Sequence, residues 1–311
     1  PRAIAWSDQE DYAVWAPTAV NMAGDKLLAT QSYVMTAIKI ADSILLFTGN
    51  DLHKMTYVGP PYAYGIVEIA SGCGPISPRS VVRIGSNVAW PGLQTFWAYA
   101  GSVQPMKCDV DDWFFSLVNR QMVGRVFGSP NPAFSELWWD WPDEGANECN
   151  RYIAVNYADA SRPWTIGVRN RTAADGTGTM DNPILAGPIR TAEHCLYLHE
   201  YGWSDNGVPR APAGSVYAES GNIVLGEGDA RFHVRQLVLD AAAPSGLGYR
   251  FLTREQPQSE EHDTGLYTET HGGLMDLRFS GRHIRMRMEA LADEPFAIGR
   301  PRLQVRRGGR R

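Results

Sequence analysis

Lysine is almost missing from this chain. Lys26, Lys39, Lys54 and Lys107 stand against 25 arginines. Cysteine is scarce too: Cys73, Cys108, Cys149 and Cys195 lie far apart and form no CxxC pair. That spacing argues against a zinc site or a disulfide framework. Buried free thiols made in a reducing cytoplasm are the expectation. No apolar run approaches a membrane span; Ile44-Leu45-Leu46-Phe47 is the longest pure one near the start. No charged-then-apolar leader opens the chain, so no signal peptide is expected. GxSxG, Walker and GxGxxG motifs are all absent, and no cofactor is implied. Gly176-Thr177-Gly178 and Gly226-Glu227-Gly228 read as loop glycines without a following helix pattern.

What is present points to strands. The 311 residues are 44% hydrophobic and 20% charged, enough for a large core in one or two domains. With Gly 31, Pro 20 and 11% aromatics, many short strands and turns are favoured over long helices. The net charge of −5 is uneven: residues 278–311 carry ten Arg and three acids, leaving −12 for the remainder. Arginine suits paired, partly desolvated contacts, although a GC-rich genome would also favour its codons.

The densest stretch runs from Phe134 to Thr172 and holds four of the ten tryptophans. Phe134-Ser135-Glu136-Leu137-Trp138-Trp139-Asp140-Trp141 and Arg151-Tyr152-Ile153 flank an acidic turn, and Trp164-Thr165-Ile166-Gly167 follows. Indole rings favour sites apolar at one end and wet at the other, so rings stacked between packed sheets are expected here, not an active site. Similar strand–turn–strand units centre on Ser43 to Val58, Asn87 to Val110 and His194 to Gly207, at roughly 40–55 residues each, near the length of a propeller blade. One short helix is expected from Trp113, capped by Asp112. After about residue 230 the strands lengthen. Ile284, Met286 and Met288 alternate with His283, Arg285, Arg287 and Glu289, so this strand should bury one face and present a basic one.

The Phe-Ser-Glu-x-Trp-Trp strand, the Asn147-Glu148-x-x-Arg151-Tyr152 strand and Trp164-x-x-Gly167 followed by Arg171-Thr172 resemble the tail nozzle and tail hub proteins of short-tailed bacteriophages. Met55 to Pro61, Cys73-Gly74-Pro75-Ile76-Ser77-Pro78 and Gly299 to Leu303 with Gly308-Gly309-Arg310 are similar to further family segments. The resemblance covers most of the chain. It singles out Glu136, Trp138, Trp139, Glu148, Arg151, Trp164 and Gly167 as a structural signature. Glu136, Glu148 and Arg151 are expected to face one another across a hairpin. Family members are longer, so the chain is expected to be a C-terminal portion or a short variant.

The expected fold is all-β: a propeller-like domain over 1–230, then a smaller sandwich-like β-domain with the basic strand over 231–311. The resemblance implies a non-enzymatic, ring-forming nozzle or hub, six-fold, assembled in the host cytoplasm and carried in the virion tail. Its partners would be further copies of itself, portal or adaptor and other tail proteins, and double-stranded DNA passing through an acidic lumen. His283, Arg285 and Arg287 are the candidate subunit interface, with a neighbour preferred over the same domain as the source of opposing acids.

The alternative is a glycan-binding or glycan-hydrolysing propeller protein; a third reading is a cytoplasmic propeller scaffold. The acidic pairs Asp111-Asp112, Asp143-Glu144 and Glu260-Glu261 sit in expected turns or at a helix start and are read as structural. His194 and His199, with Glu200 beside them, lack a metal-binding spacing, and Ser204-Asp205-Asn206-Gly207 reads as an ordinary turn.

Overall fold

The computed structural model describes residues 2–176, 182–188, 194–202, 214, 216–224, 230–242, 244–292, 294 and 296–309. The architecture is all-β, with one short α-helix among the described residues. Two compact units divide the chain, Pro1–Tyr201 and Gly202–Arg311. The junction falls before the expected 230/231, because Tyr217–Glu219 and Ile223–Val224 pair with His283–Ala290 of the later strands.

The first unit is a succession of antiparallel meanders. A two-stranded ribbon, Ala3–Trp6 with Gly24–Leu27, comes first. The first four-stranded sheet runs Val34–Lys39, Ser43–Thr48, Asp51–Gly59, Ala63–Ser71. The second runs Val82–Ile84, Asn87–Pro91, Phe96–Tyr99, Val103–Met106. The third is Phe127–Asn131, Glu136–Trp141, Arg151–Asn156, Trp164–Val168. A three-stranded fourth follows, Ala173–Asp175, Ile184–Pro188, His194–Leu198.

Each four-stranded sheet is buried on both faces, so its apolar residues line two different cores. Leu45, Phe47 and Leu52 of the first sheet meet Val88, Trp90 and Tyr99 of the second. Val82, Ala89 and Phe96 of the second meet Leu137, Trp139, Trp141 and Ile153 of the third, with Phe114 of the helix between. Trp138 and Ala154, on the third sheet's other face, meet Leu185 of the fourth. The side-chain period of two puts Leu137, Trp139 and Trp141 on one face and Glu136, Trp138 and Asp140 on the other.

The helix spans Asp111–Leu117. Asp112 lies in its first turn and not at the cap, which is Val110 without a side-chain bond. The acidic start still favours the helix through its dipole.

In the second unit, one sheet joins Tyr217–Glu219, His283–Ala290, Leu247–Arg254 and His262–Tyr267. Another joins Leu274–Gly281, Phe232–Val238 and Arg302–Arg307. Val234, Leu237, Tyr249, Phe251, Met275 and Ile284 from both sheets share one core. Met286 and Met288 pack against it, as the alternation required.

Candidate active site

The third sheet places its two faces under opposite demands. On the core face Trp139 donates Nε1–H to the Ser80 carbonyl at 2.8 Å and stacks on Trp164, ring centroids 6.1 Å apart. Trp164 donates to the Lys107 carbonyl at 2.9 Å. These rings are the stacked aromatics expected from the sequence. The other face is different. There Trp138 donates Nε1–H to Glu136 Oε2 at 2.9 Å, holding that carboxylate two residues away on the same strand.

Asn131 ends the neighbouring strand directly opposite Glu136 and is fully buried. Its Nδ2 lies 3.4 Å from Glu136 Oε2 and 3.5 Å from Glu200 Oε1. Glu200 comes from the turn after the fourth sheet, at φ 59°. That turn is tied down by Asn182 Nδ2, which donates to the carbonyls of His199 and Glu200 at 3.0 and 2.8 Å. The shared amide therefore holds the two carboxylate oxygens no more than about 7 Å apart, compatible with both the about 5–5.5 Å of retaining glycosidase pairs and the low end of the inverting range. Asn131 Oδ1 is buried beside them without a partner.

The two carboxyls sit in unequal surroundings. Burial of the Glu200 carboxyl, with the Glu136 charge second, pushes its pKa up; Arg169 and the Asn131 amide oppose this. By surface area Glu200 is exposed, so solvent moderates that shift. His199 is driven the other way, down to about 3, by burial and by Arg169 and Arg171, and stays neutral. Its Nε2 accepts from Arg171 Nε at 2.9 Å.

Arg169 forms the rigid floor. Its guanidinium donates to both oxygens of the fully buried Asp140, at 2.9 and 2.6 Å. It also lies 4.4 Å from the Trp138 ring and 4.7 Å from that of Tyr152. Burial alone pushes the Asp140 carboxyl up, and Arg169 counters it. Gly167 pairs with Tyr152, and a Cβ at 167 would collide with the tyrosine ring, so only glycine admits that ring position. Glu136, Trp138, Tyr152, Thr165, Arg169 and Glu200 line a cavity of about 220 Å³. A larger cavity, about 710 Å³, lies in the second unit and has no carboxylate in its lining. Chemistry, not size, selects the smaller one.

Of the sequence-derived residues, Glu136, Trp138 and Gly167 belong to this site, and Trp139 and Trp164 belong to the core. Glu136, Glu148 and Arg151 do not face one another. Glu148 pairs with Arg125 at 3.2 Å, and Arg151 with Asp143 at 2.8 Å. Asp143 also takes the Asn150 amide, and these bonds hold its carboxyl below the usual range. Asp111 and Asp112 start the helix, and Glu261 bridges Arg254 and Arg285 at 3.0 and 3.2 Å. The acids opposing Arg285 and Arg287 come from their own unit: Glu219, Glu261 and Glu289. Ser204-Asp205-Asn206-Gly207 and Gly226-Glu227-Gly228 lie outside the described residues. Cys73, Cys108 and Cys149 are buried and Cys195 half-buried, all as free thiols. Burial pushes Cys73 to about 11 and Cys108 and Cys149 to about 12. No cluster of three His, Cys, Asp or Glu able to hold a metal occurs among the described residues. No helix among them is long and apolar enough to cross a membrane.

Sequence reasoning passed over Asn131, Asp140, Arg169 and Glu200. Glu200 was set aside as a neighbour of His199, and nothing in local spacing ties it to Glu136.

No family model and no curated protein matches the chain. Solved structures similar to it include a glycoside hydrolase, 8% identical, covering 89% of this chain and 85% of that one at a TM-score of 0.30. Another is an exo-beta-1,3-galactanase from Phanerochaete chrysosporium, solved with beta-1,3-galactotriose. It is 11% identical over 91% of this chain and 83% of that one, at a TM-score of 0.29. Both are named as glycan-acting proteins and neither as a tail protein. On these matches the expected phage tail nozzle or hub, its virion role and its non-enzymatic character are withdrawn. At such TM-scores the likeness transfers neither a detailed fold nor an activity to this chain.

Proposed function

We propose that the chain hydrolyses glycosidic bonds, with Glu200 as proton donor and Glu136 as the opposing carboxylate. The observation that carries this reading is the single buried amide of Asn131 within reach of both carboxylates. A pair of carboxyls, one of them raised in proton affinity by its surroundings, is the minimum that glycoside hydrolysis needs. Glu200 gives its proton to the leaving oxygen as the bond from that oxygen to C1 breaks. Glu136, held by Trp138, stabilises the positive charge that develops at C1 or directs water to it. Water supplies the new C1 hydroxyl and restores the proton to Glu200. A cavity of about 220 Å³ has room for one ring, not a chain.

The first unit is read as propeller-like, supported by successive antiparallel meanders that stack face on face.

The test is turnover of a panel of aryl glycosides. Glu200→Gln and Glu136→Gln should each lower kcat by about 10²–10⁴-fold without loss of Tm. The basic limb of the kcat profile should lie above the ordinary Glu range and vanish in Glu200→Gln. A folded protein that cleaves no member of a broad panel sinks the reading. Anomeric retention would place the pair at about 5–5.5 Å, and inversion at 6.5 Å or more.

A further inference from the structure

The cavity of about 710 Å³ in the second unit is lined by His233, Arg235, Arg278, Ser280, Arg306 and Arg307, with Gly308-Gly309 at one end. Three adjacent strands build its floor. His233 pairs with Ser280 on one side and with Arg306 on the other, so these three form a row across the sheet. Arg235 and Arg278 follow two residues along their strands and share that face, where a bulge between Val234 and Gln236 breaks the ladder. A Cβ at Gly308 would come within 2.9 Å of His233 Nε2, so glycine there keeps the end of the cleft open.

Three arginines in this cleft carry uncompensated charge. Arg235, Arg278 and Arg306 are exposed. They make no ion pair or hydrogen bond among the described residues. No Asp or Glu lines the cleft. On the unit's other sheet the contrary holds, and Arg250, Arg254, Arg285 and Arg287 all meet carboxylates. An arginine cluster left open in one concave place, in a unit whose other sheet pairs its arginines with acids, is a receptor for anionic groups.

We infer that this cleft binds an acidic polysaccharide, one carrying carboxylate or sulfate groups, and so delivers charged glycans to the chain. The choice of a glycan as the carrier of the charge rests on the catalytic reading above. Arg278 and Arg306 flank the central strand at about 12 Å, two inter-strand spacings across and two residues along, and can each hold one anionic group of the same polymer. Duplex DNA fits less well. It needs a long basic track, and this cleft offers only a short arginine cluster.

The test is equilibrium binding of the full chain to polygalacturonate, chondroitin sulfate, neutral galactan and duplex DNA at two salt concentrations. Salt-sensitive binding of at least one charged glycan, and none of neutral galactan, is expected. The first two probes separate carboxylate from sulfate recognition. Arg235→Ser with Arg278→Ser should weaken binding at least tenfold at unchanged Tm. Arg306→Ser, on an edge strand, should act in the same direction alone. Glu200→Gln should bind as the parent does. A protein that binds charged glycan through these arginines yet hydrolyses nothing refutes the catalytic reading and supports the cleft. DNA bound as tightly as the charged glycans, binding indifferent to the arginine variants, or no binding to any probe overturns the inference.

Discussion

Two sheet faces in this molecule crowd charge, and they settle it differently. In the second unit Arg250, Arg254, Arg285 and Arg287 meet Glu219, Glu261, Asp263 and Glu289 at distances from 2.8 to 3.2 Å. Every carboxylate there has a guanidinium. In the first unit Arg169 is already committed to Asp140, and Glu136 and Glu200 share only an amide between them. Charge density alone therefore does not mark a site. The informative quantity is the charge left over after the strong partners are taken, because that remainder shifts proton affinities.

This contrast can be broken by mutation, starting with its strongest element. Asp140→Ala leaves Arg169 buried against Trp138 and Tyr152 without its counter-ion. Loss of one partner from such a pair costs about 3–5 kcal/mol, read as a shift of the denaturant midpoint. A loss below about 1 kcal/mol would mean that Arg169 finds water or another acid, and that the floor is not rigid.

The pH dependence of stability comes next. The His199 pKa falls from an ordinary 6.5 to about 3 in the fold, so the unfolded chain takes up the proton first. Stability should then drop as pH falls from about 6.5 toward 3. His199→Gln, which keeps an acceptor for Arg171, should flatten that slope. Glu200 has the opposite sign. Its raised pKa costs stability as pH climbs through the ordinary carboxylate range, so Glu200→Gln should be the more stable protein at neutral pH. An unchanged acid slope in His199→Gln would show that other groups govern it.

The smallest effect belongs to the balanced face. Glu219→Gln leaves Arg285 and Arg287 with Glu261 and Glu289, so it should cost no more than about 1 kcal/mol. A larger cost, or an altered oligomeric state, would restore an interface role for Arg285 and Arg287.

Much of the architecture was legible because it follows from local periods. Alternation at Ile284, Met286 and Met288 announced a half-buried strand, and the turns around Asn50 and Gly101 announced meanders. The Trp-rich stretch was legible as strands as well. Its function was not, because a period of two divides Leu137, Trp139 and Trp141 from Glu136, Trp138 and Asp140 without saying which set meets the core. Each set holds buried tryptophan, Trp139 and Trp141 in one and Trp138 in the other.

By itself, the sequence determined an all-β chain, the strand positions of its aromatics, and an arginine excess needing partners or ligands. Only the tertiary structure decided which carboxylates meet. Glu200 lies 69 residues from Asn131 and reaches it because the fourth sheet packs on the outer face of the third through Leu185, Trp138 and Ala154. Strand period acts within a few residues, whereas proton affinity depends on charges within a few ångströms. Packing alone converts one into the other.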